Sequence, residues 1–185
     1  DTTTGNYEIA GLIVRSPPPV YPDGFPSDII NKLCKAWGVD GVLGNKAASG
    51  TEIIKELGKE HEITGLPIVY TSADSVLQIA ASIDTFGLER LYECCEKARK
   101  IMSGKDSVGR IIARPFTKDK DGNYYRTPDR RDYALEPPAK TVLNVLAERG
   151  IEVVSVGKIS DIFCGCGITK AISAHGNKEV GDGIL

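Results

Sequence analysis

The sequence predicts an α/β protein in which a mixed β-sheet covered by helices forms one body inserted into another. Three observations support this. Strand-like and helix-like runs alternate through the middle of the chain. Two proline-rich stretches, SPPPVYPDGFP at residues 16–26 and PDRRDYALEPP at residues 128–138, bracket that alternation as crossings between bodies. Past the second crossing, a helical run leads into IEVVSVG, a continuous apolar strand of the kind that parallel sheets bury. The chain is therefore read as residues 1–15, an inserted body over 16–137, and a returning segment over 138–185. Its 185 residues, 41% hydrophobic, are enough to bury a core.

Each element has its own signal. In PSDIINKLCKAWG, Ile29, Ile30, Leu33 and Trp37 recur at helical spacing behind Ser27 as cap, and Gly38 stands where a left-handed C-terminal residue belongs. A short apolar pair, Val42 and Leu43, precedes GNKAASGTEIIKELG, which predicts a second helix entered through a capping box of Ser49 and Glu52. LPIVYT and VLQIAAS read as strands. FGLERLYECCEKARKIMSG reads as a long amphipathic helix ended by Gly104, with Cys94 and Cys95 packed as small apolar side chains. Alternation in VGRIIARPF places Val108, Arg110, Ile112, Arg114 and Phe116 on one face and Gly109, Ile111 and Ala113 on the other. The turn KDKDGN and the run NYYRT predict a hairpin partner that brings Arg126 to the arginine face. PDRRDYALEPP is too rich in proline for regular structure, AKTVLNVLAERG predicts a helix with Ala139, Val142, Leu143 and Leu146 inward, and GCGITKA is a glycine-rich turn before a possible helix.

Composition excludes several function classes. A net charge of -2 with one local basic stretch does not describe a nucleic-acid-binding face. No apolar run is long enough to cross a bilayer, and five cysteines lack framework spacing, so a cytoplasmic protein with no membrane partner is expected. Cys164 and Cys166 form a Cys-x-Cys pair without a second pair at ligand spacing. His61 and His175, in polar surroundings near glycines, are expected at the surface.

The arginines are the first candidates for chemistry, because guanidinium forks match phosphate and carboxylate oxygens and keep their charge near neutral pH. Arg130 and Arg131, flanked by aspartates, read as solvated ion pairs. Arg110 and Arg126 read as anion ligands, since two guanidiniums on a partly apolar face repel unless an anion or carboxylate stands between them. Asp74, in TSADS at a strand end, is either an acceptor for ligand hydroxyls or the side chain of an Asx-turn. DTTTG offers three hydroxyls that need a base or metal to become nucleophiles.

The runs DTTTG, GNKAASGTEII, IVYTSADSVLQIAA, GRIIARPF, YYRTPDRRDYAL and VGKISDIF, in this order, resemble the phosphopentomutases of the alkaline phosphatase superfamily. The resemblance implies an isomerase of nucleotide salvage that interconverts ribose 1-phosphate and ribose 5-phosphate, and the deoxyribose pair, through a phosphorylated threonine and two Mn2+ ions. It implies an alkaline phosphatase-like α/β core, only partly present, carrying residues 16–137 as a cap. It also implies Thr2 as the nucleophile, Arg110, Ile112 and Arg126 as ligands of the distal phosphate, Asp74 and Val76 as ribose contacts, and Lys158 near the transferring phosphoryl group. The Mn2+ ligands of that family, apart from the Thr2 oxygen, are aspartates and histidines in core segments missing from this chain, which would be its partners. Where the family usually has His-Trp in the nucleophile motif, Asn6 and Tyr7 stand here. A sugar-phosphate-binding module without catalysis, and a domain whose surface charge serves a protein partner, are the other two readings.

Overall fold

The computed structural model of the protein describes residues 2–174 and 176–184, Thr2 through its backbone alone. The chain forms two compact units, one from Pro18–Tyr133 and one from Asp1–Pro17 with Ala134–Leu185. After α1 (Thr2–Ile9), the first of these units runs α2 (Ser27–Trp37), β1 (Leu43–Ala47), α3 (Gly50–Thr64), β2 (Ile68–Thr71), β3 (Val76–Ser82), α4 (Leu88–Ile101), β4 (Arg110–Lys118), β5 (Tyr124–Arg126) and β6 (Arg131–Ala134). The second unit adds α5 (Val142–Glu148), β7 (Val154–Val156), α6 (Ile159–Ile162), β8 (Lys170–Ile172) and α7 (Asn177–Ile184) to α1.

In unit Pro18–Tyr133 the strands lie in the order β1-β2-β3-β4-β5, with β6 also paired to β4. β1 and β2 are parallel, β2 and β3 antiparallel, β3 and β4 parallel, and β4 and β5 antiparallel, so the sheet is mixed and the protein is α/β. Period-2 alternation divides the strands between two cores. Val69, Leu77, Ile79 and Ile111 pack with Leu33 and Leu91 of α2 and α4. On the other face Ile68, Tyr70, Ala80 and Phe116 pack with Ile53 and Ile54 of α3. Each fully buried Leu or Ile in these cores contributes roughly 1.5–3 kcal/mol. The indole of Trp37 donates to the Cys94 carbonyl at 2.8 Å and ties α2 to α4. Cys94 and Cys95 are buried and free, as their helical positions predict.

Several local expectations are corrected. Ser27 is the first residue of α2, and Pro26 occupies the cap, while Gly38 does close the helix at φ 68°. The residues GNKA, ahead of the Ser49 cap, extend the short apolar pair into strand β1. Only Leu43 of that strand is buried, so no alternation was available to reveal it. Ser49 does cap α3, but its side chain makes no capping bond, and the helix continues through Gly58 to Thr64. Val108 precedes β4 and packs with Ile111 and Ala113 rather than on the arginine face. β6 forms inside the stretch expected to be irregular, because its proline-free residues 131–134 pair with β4.

His61 is likewise not a surface residue: it is completely buried. Its Nδ1 lies 2.6 Å from the Leu66 carbonyl oxygen, which calls for the Nδ1–H tautomer, and its Nε2 accepts the Ser82 N–H at 2.9 Å. The ring stands among Phe86 and Phe116. The imidazole joins the end of α3 to the end of β3, satisfying two backbone groups that would otherwise be buried without partners. His175 lies outside the described residues.

Gly24 and Asn45 meet at the head of β1. The register with β2 shifts between Gly44 and Lys46, and Asn45, at φ 49°, bulges outward. Its amide clamps Phe25, accepting the Phe25 N–H at 2.8 Å and donating to the Phe25 carbonyl at 2.9 Å. Gly24 itself has φ 91°, and a Cβ there would collide with the Asn45 carbonyl. Gly24→Ala is expected to cost about 2–4 kcal/mol through left-handed strain plus that clash, read as a lowered urea midpoint.

The other unit is built more sparely. Thr141 caps α5 through a capping box closed by Asn144, a Thr-x-x-Asn variant of the usual pattern. β7 pairs in parallel with β8, in a sheet of two strands. Only three residues of IEVVSVG are strand, and Ile151 and Val154 are exposed, because a two-stranded sheet offers no second layer to bury both faces. Ala139 and Val142 are exposed rather than inward, while Leu143 packs beside the small cluster of Tyr7, Ala10 and Phe163. GCGITKA leads into strand β8, not a helix.

Candidate functional site

The arginine face is made by β4 and its neighbours. Val76 stands opposite Arg110 in the parallel register of β3 and β4, and Gln78 stands opposite Ile112. Arg126 stands opposite Phe116 across the hairpin, which places it on the face of residues 110, 112, 114 and 116. Residues 110 and 116 are the two ends of this stretch, so Arg110 and Arg126 flank it with Arg114 between them.

At the Arg110 end the charges are paired. Its guanidinium lies 3.8 Å from Asp74 and 3.7 Å from Asp132. Asp74 sits in the β2–β3 connection, where its N–H donates to Ser72 Oγ at 3.3 Å and its carbonyl accepts the Val76 N–H at 2.9 Å. The turn is therefore held by the serine and the backbone, and the Asp74 carboxylate is left to face Arg110. Val76 is buried beside it, and so is Ile112.

The other end is a cleft. Arg114, Pro115, Arg126, Thr127, Pro128 and Arg130 line a cavity of about 320 Å3. The backbone explains why it opens there. β5 and β6 share one side of β4 but are separated by residues 127–130, and both Pro115 and Pro128 lack the N–H that a continuous ladder would use. Arg114 donates through Nε to Gln78 Oε1 at 3.0 Å, and Arg126 donates through Nη2 to Thr51 Oγ1 at 2.6 Å. Arg130 makes a bidentate pair with Asp132, 2.6 Å at each contact, and that bond raises its pKa. The pairing expected for Arg130 is thus present, but the same residue also walls the cleft. Burial, helped by Arg130 and Arg126 nearby, lowers the pKa of Arg114. Arg131 takes no part: its guanidinium lies 3.9 Å from the centre of the Tyr92 ring.

The remaining candidates belong to the other unit. Thr2 opens α1, and its side chain lies outside the described residues. Lys158 is exposed at the residue just before α6. Tyr7 anchors α1: its hydroxyl donates to the carbonyls of Leu135 at 2.9 Å and Ile162 at 3.1 Å, and its ring packs on Phe163. Burial, with Cys164 and Cys166 nearby, pushes its pKa up to about 12. Tyr7→Phe is expected to cost about 1–2 kcal/mol, since two partly buried carbonyls lose their shared donor; chemical denaturation measures it. Among the described residues, no group of three or more His, Cys, Asp and Glu side chains could hold a metal ion, so the residues present do not fit a metal centre. No helix among them is long and apolar enough to cross a membrane.

Several known proteins of similar sequence are named phosphopentomutase. The chain is 58% identical over 179 residues to "Phosphopentomutase" of Caldanaerobacter subterraneus subsp. tengcongensis, covering 97% of this chain and 45% of that protein. It is 54% identical over the same length to the protein of that name from Symbiobacterium thermophilum. With the Acetivibrio thermocellus protein of that name, identity is 55% over all 185 residues, 47% of the relative. The chain belongs to the phosphopentomutase family. No protein-family profile matches it. It spans about half the length of the curated relatives it matches, and the matched half holds the whole arginine face.

Proposed function

We propose that this chain is the sugar-phosphate-binding part of a phosphopentomutase, which interconverts ribose 1-phosphate and ribose 5-phosphate and the deoxyribose pair. Unit Pro18–Tyr133 supports the role of cap, and the segments of residues 1–15 and 138–185 the role of core. The observation that carries the reading is one sheet face on which a carboxylate, Asp74, and buried apolar side chains, Val76 and Ile112, adjoin guanidiniums at both ends. Such a face can accept hydrogen bonds from ribose hydroxyls at Asp74 while Arg110 and Arg126 hold the phosphate. In this reading Thr2 carries the transferred phosphoryl group, Lys158 neutralises charge near it, and the reaction passes through a bisphosphate. Mn2+ would activate the threonine oxygen; the described residues hold no ligand set for it, and its ligands belong to the rest of the cytoplasmic, full-length protein.

Two measurements test the proposal. Isothermal titration of the 185-residue chain with ribose 5-phosphate is expected to show saturable binding that Arg110→Met weakens. Heat no different from buffer would refute it. The 185-residue chain alone is expected to show no mutase turnover, because a threonine hydroxyl without metal or base is a poor nucleophile at neutral pH. Manganese-dependent conversion of ribose 1-phosphate by the pure chain would overturn that expectation.

A further inference from the structure

We infer that Cys164 and Cys166 are a modification site, a dithiol that closes reversibly to a disulfide and thereby acts on the anchor of α1. The inference is independent of the arginine face and of mutase activity.

The backbone brings the pair together. The Cys166 N–H donates to the Phe163 carbonyl at 2.9 Å, closing a turn with Cys164 and Gly165 at its two central positions. Both are left-handed, at φ 52° and 72°, as a type I′ turn requires. Gly165 adopts that conformation freely, whereas Cys164 adopts it against the preference of a residue with a Cβ, so its surroundings hold the turn in shape. The Gly165 N–H donates to the Ser160 carbonyl at 2.9 Å and the Ile168 N–H to the Gly165 carbonyl at 3.1 Å. Gly167 is pressed against α5, where a Cβ would collide with the Asn144 backbone. Within this turn the Cys166 sulfur folds back to lie 4.0 Å from the Cys164 carbonyl oxygen. Cα atoms two residues apart are separated by at most about 7 Å in an extended chain, and a turn brings them into the roughly 4.4–6.8 Å that a disulfide spans.

The chemistry of the pair fits closure better than metal binding. Among the described residues, no group of three or more His, Cys, Asp and Glu could hold a metal, and two sulfurs are what a disulfide needs. Both residues are thiols and half-buried, with exposed Gly165 between them, while Cys34, Cys94 and Cys95 are buried. A small-molecule disulfide is the oxidant. One cysteine thiolate attacks it, forming a mixed disulfide and releasing one thiolate. The other cysteine attacks the mixed disulfide, forming the Cys164–Cys166 bond and releasing the second thiolate. Two electrons pass to the small molecule, and the two protons go to the released thiolates or to water. Burial and the Glu136 carboxylate raise the Cys166 pKa, so closure should quicken as pH rises. A ring with one intervening residue is tight, which favours easy reduction.

Tyr7 couples the turn to α1. Cys164 and Cys166 both act electrostatically on its phenol, which places the sulfurs near the hydroxyl that holds the Leu135 and Ile162 carbonyls. Phe163, adjacent to Cys164, packs on the same ring. Closing the dithiol therefore pulls on both contacts of Tyr7.

The test treats the 185-residue chain with oxidised glutathione. Thiols counted after unfolding are expected to fall from five to three, and peptide mapping to place the bond between Cys164 and Cys166. Dithiothreitol should restore all five. Cys166→Ser and Cys164→Ser should each stop at a mixed disulfide that retains one glutathionyl group, while Cys34→Ser should still close. A stable mixed disulfide on the natural chain, a bond between two molecules, or five surviving thiols under conditions that close a Phe-Cys-Gly-Cys-Gly peptide would each overturn the site. Hydrogen exchange of the α1 amides is expected to differ between the reduced and oxidised chains and to be insensitive to glutathione in the double variant Cys164→Ser, Cys166→Ser. Identical exchange in the reduced and oxidised natural chain would overturn the link to α1.

Discussion

Arg126→Ala in the full-length protein is expected to lower kcat/KM for ribose 5-phosphate by about 2–4 kcal/mol of transition-state stabilisation. Arg126 stands on the strand face opposite Phe116, lines the cleft, and donates to the Thr51 hydroxyl. Removing it deletes a charge-assisted contact without freeing a buried carboxylate, so the loss falls on the ligand rather than on the fold. Lysine at position 126 should restore part of the activity, because an ammonium keeps the charge but not the planar fork. Arg131→Ala should cost little, since that side chain is spent on the Tyr92 ring. Steady-state kinetics across the three variants, with thermal melts, decide the matter. Equal losses at 126 and 131 would refute a defined contact.

The second large effect is on stability. His61→Ala is expected to destabilise the chain by about 3 kcal/mol, because it opens a cavity and leaves the Leu66 carbonyl and the Ser82 N–H buried without partners. The same site gives a pH dependence. Burial lowers the His61 pKa below its ordinary 6.5, against smaller opposing effects of the Leu66 carbonyl and the Glu62 carboxylate. The unfolded chain therefore binds the proton more readily, and stability rises with pH across the interval between the folded and unfolded values. The contribution of His61 is fully present above 6.5 and is lost as pH falls through the lowered folded value. Protonation would also put a second N–H against the Ser82 N–H. Urea midpoints measured from pH 7.5 downward should fall for the natural chain, and the part of that fall due to His61 should vanish in His61→Ala. Parallel slopes in the two proteins would sink the idea.

Both cores were legible wherever burial imposed a period. The helices around Leu33 and Leu91 and the alternating run at 110–116 carry it, while the strands at 68–71 and 76–82 are buried along their whole length and read as continuous apolar runs. The elements that escaped are those whose side chains are not sorted by burial: β1 exposes most of its residues, and β6 begins with Arg131 and Asp132. His61 escaped for a different reason, because its neighbours Glu60 and Glu62 are polar and a helix turns a single position inward without marking it in composition. In the candidate site, strand alternation correctly grouped residues 110, 112, 114 and 116 with Arg126. It could not show that Asp132 would occupy Arg110 and Arg130 at once, which leaves Arg114 as the less compensated charge. That depends on a tertiary contact across a strand break made by two prolines.

The same break has a consequence for association. A sheet edge with regular unpaired backbone invites strands from other molecules, and both margins of this sheet are poor templates for that. On one side, β5 supplies three residues and β6 four, with Pro128 between them. On the other, β1 is interrupted at Asn45, whose left-handed backbone throws the register out after two residue pairs and whose amide is already committed to Phe25. An incoming strand could form only a few bonds before meeting a proline or a bulge. The proline gap that opens the cleft thus also guards the sheet against self-templated aggregation, so replacing Pro128 to smooth that margin would trade solubility for a more continuous strand.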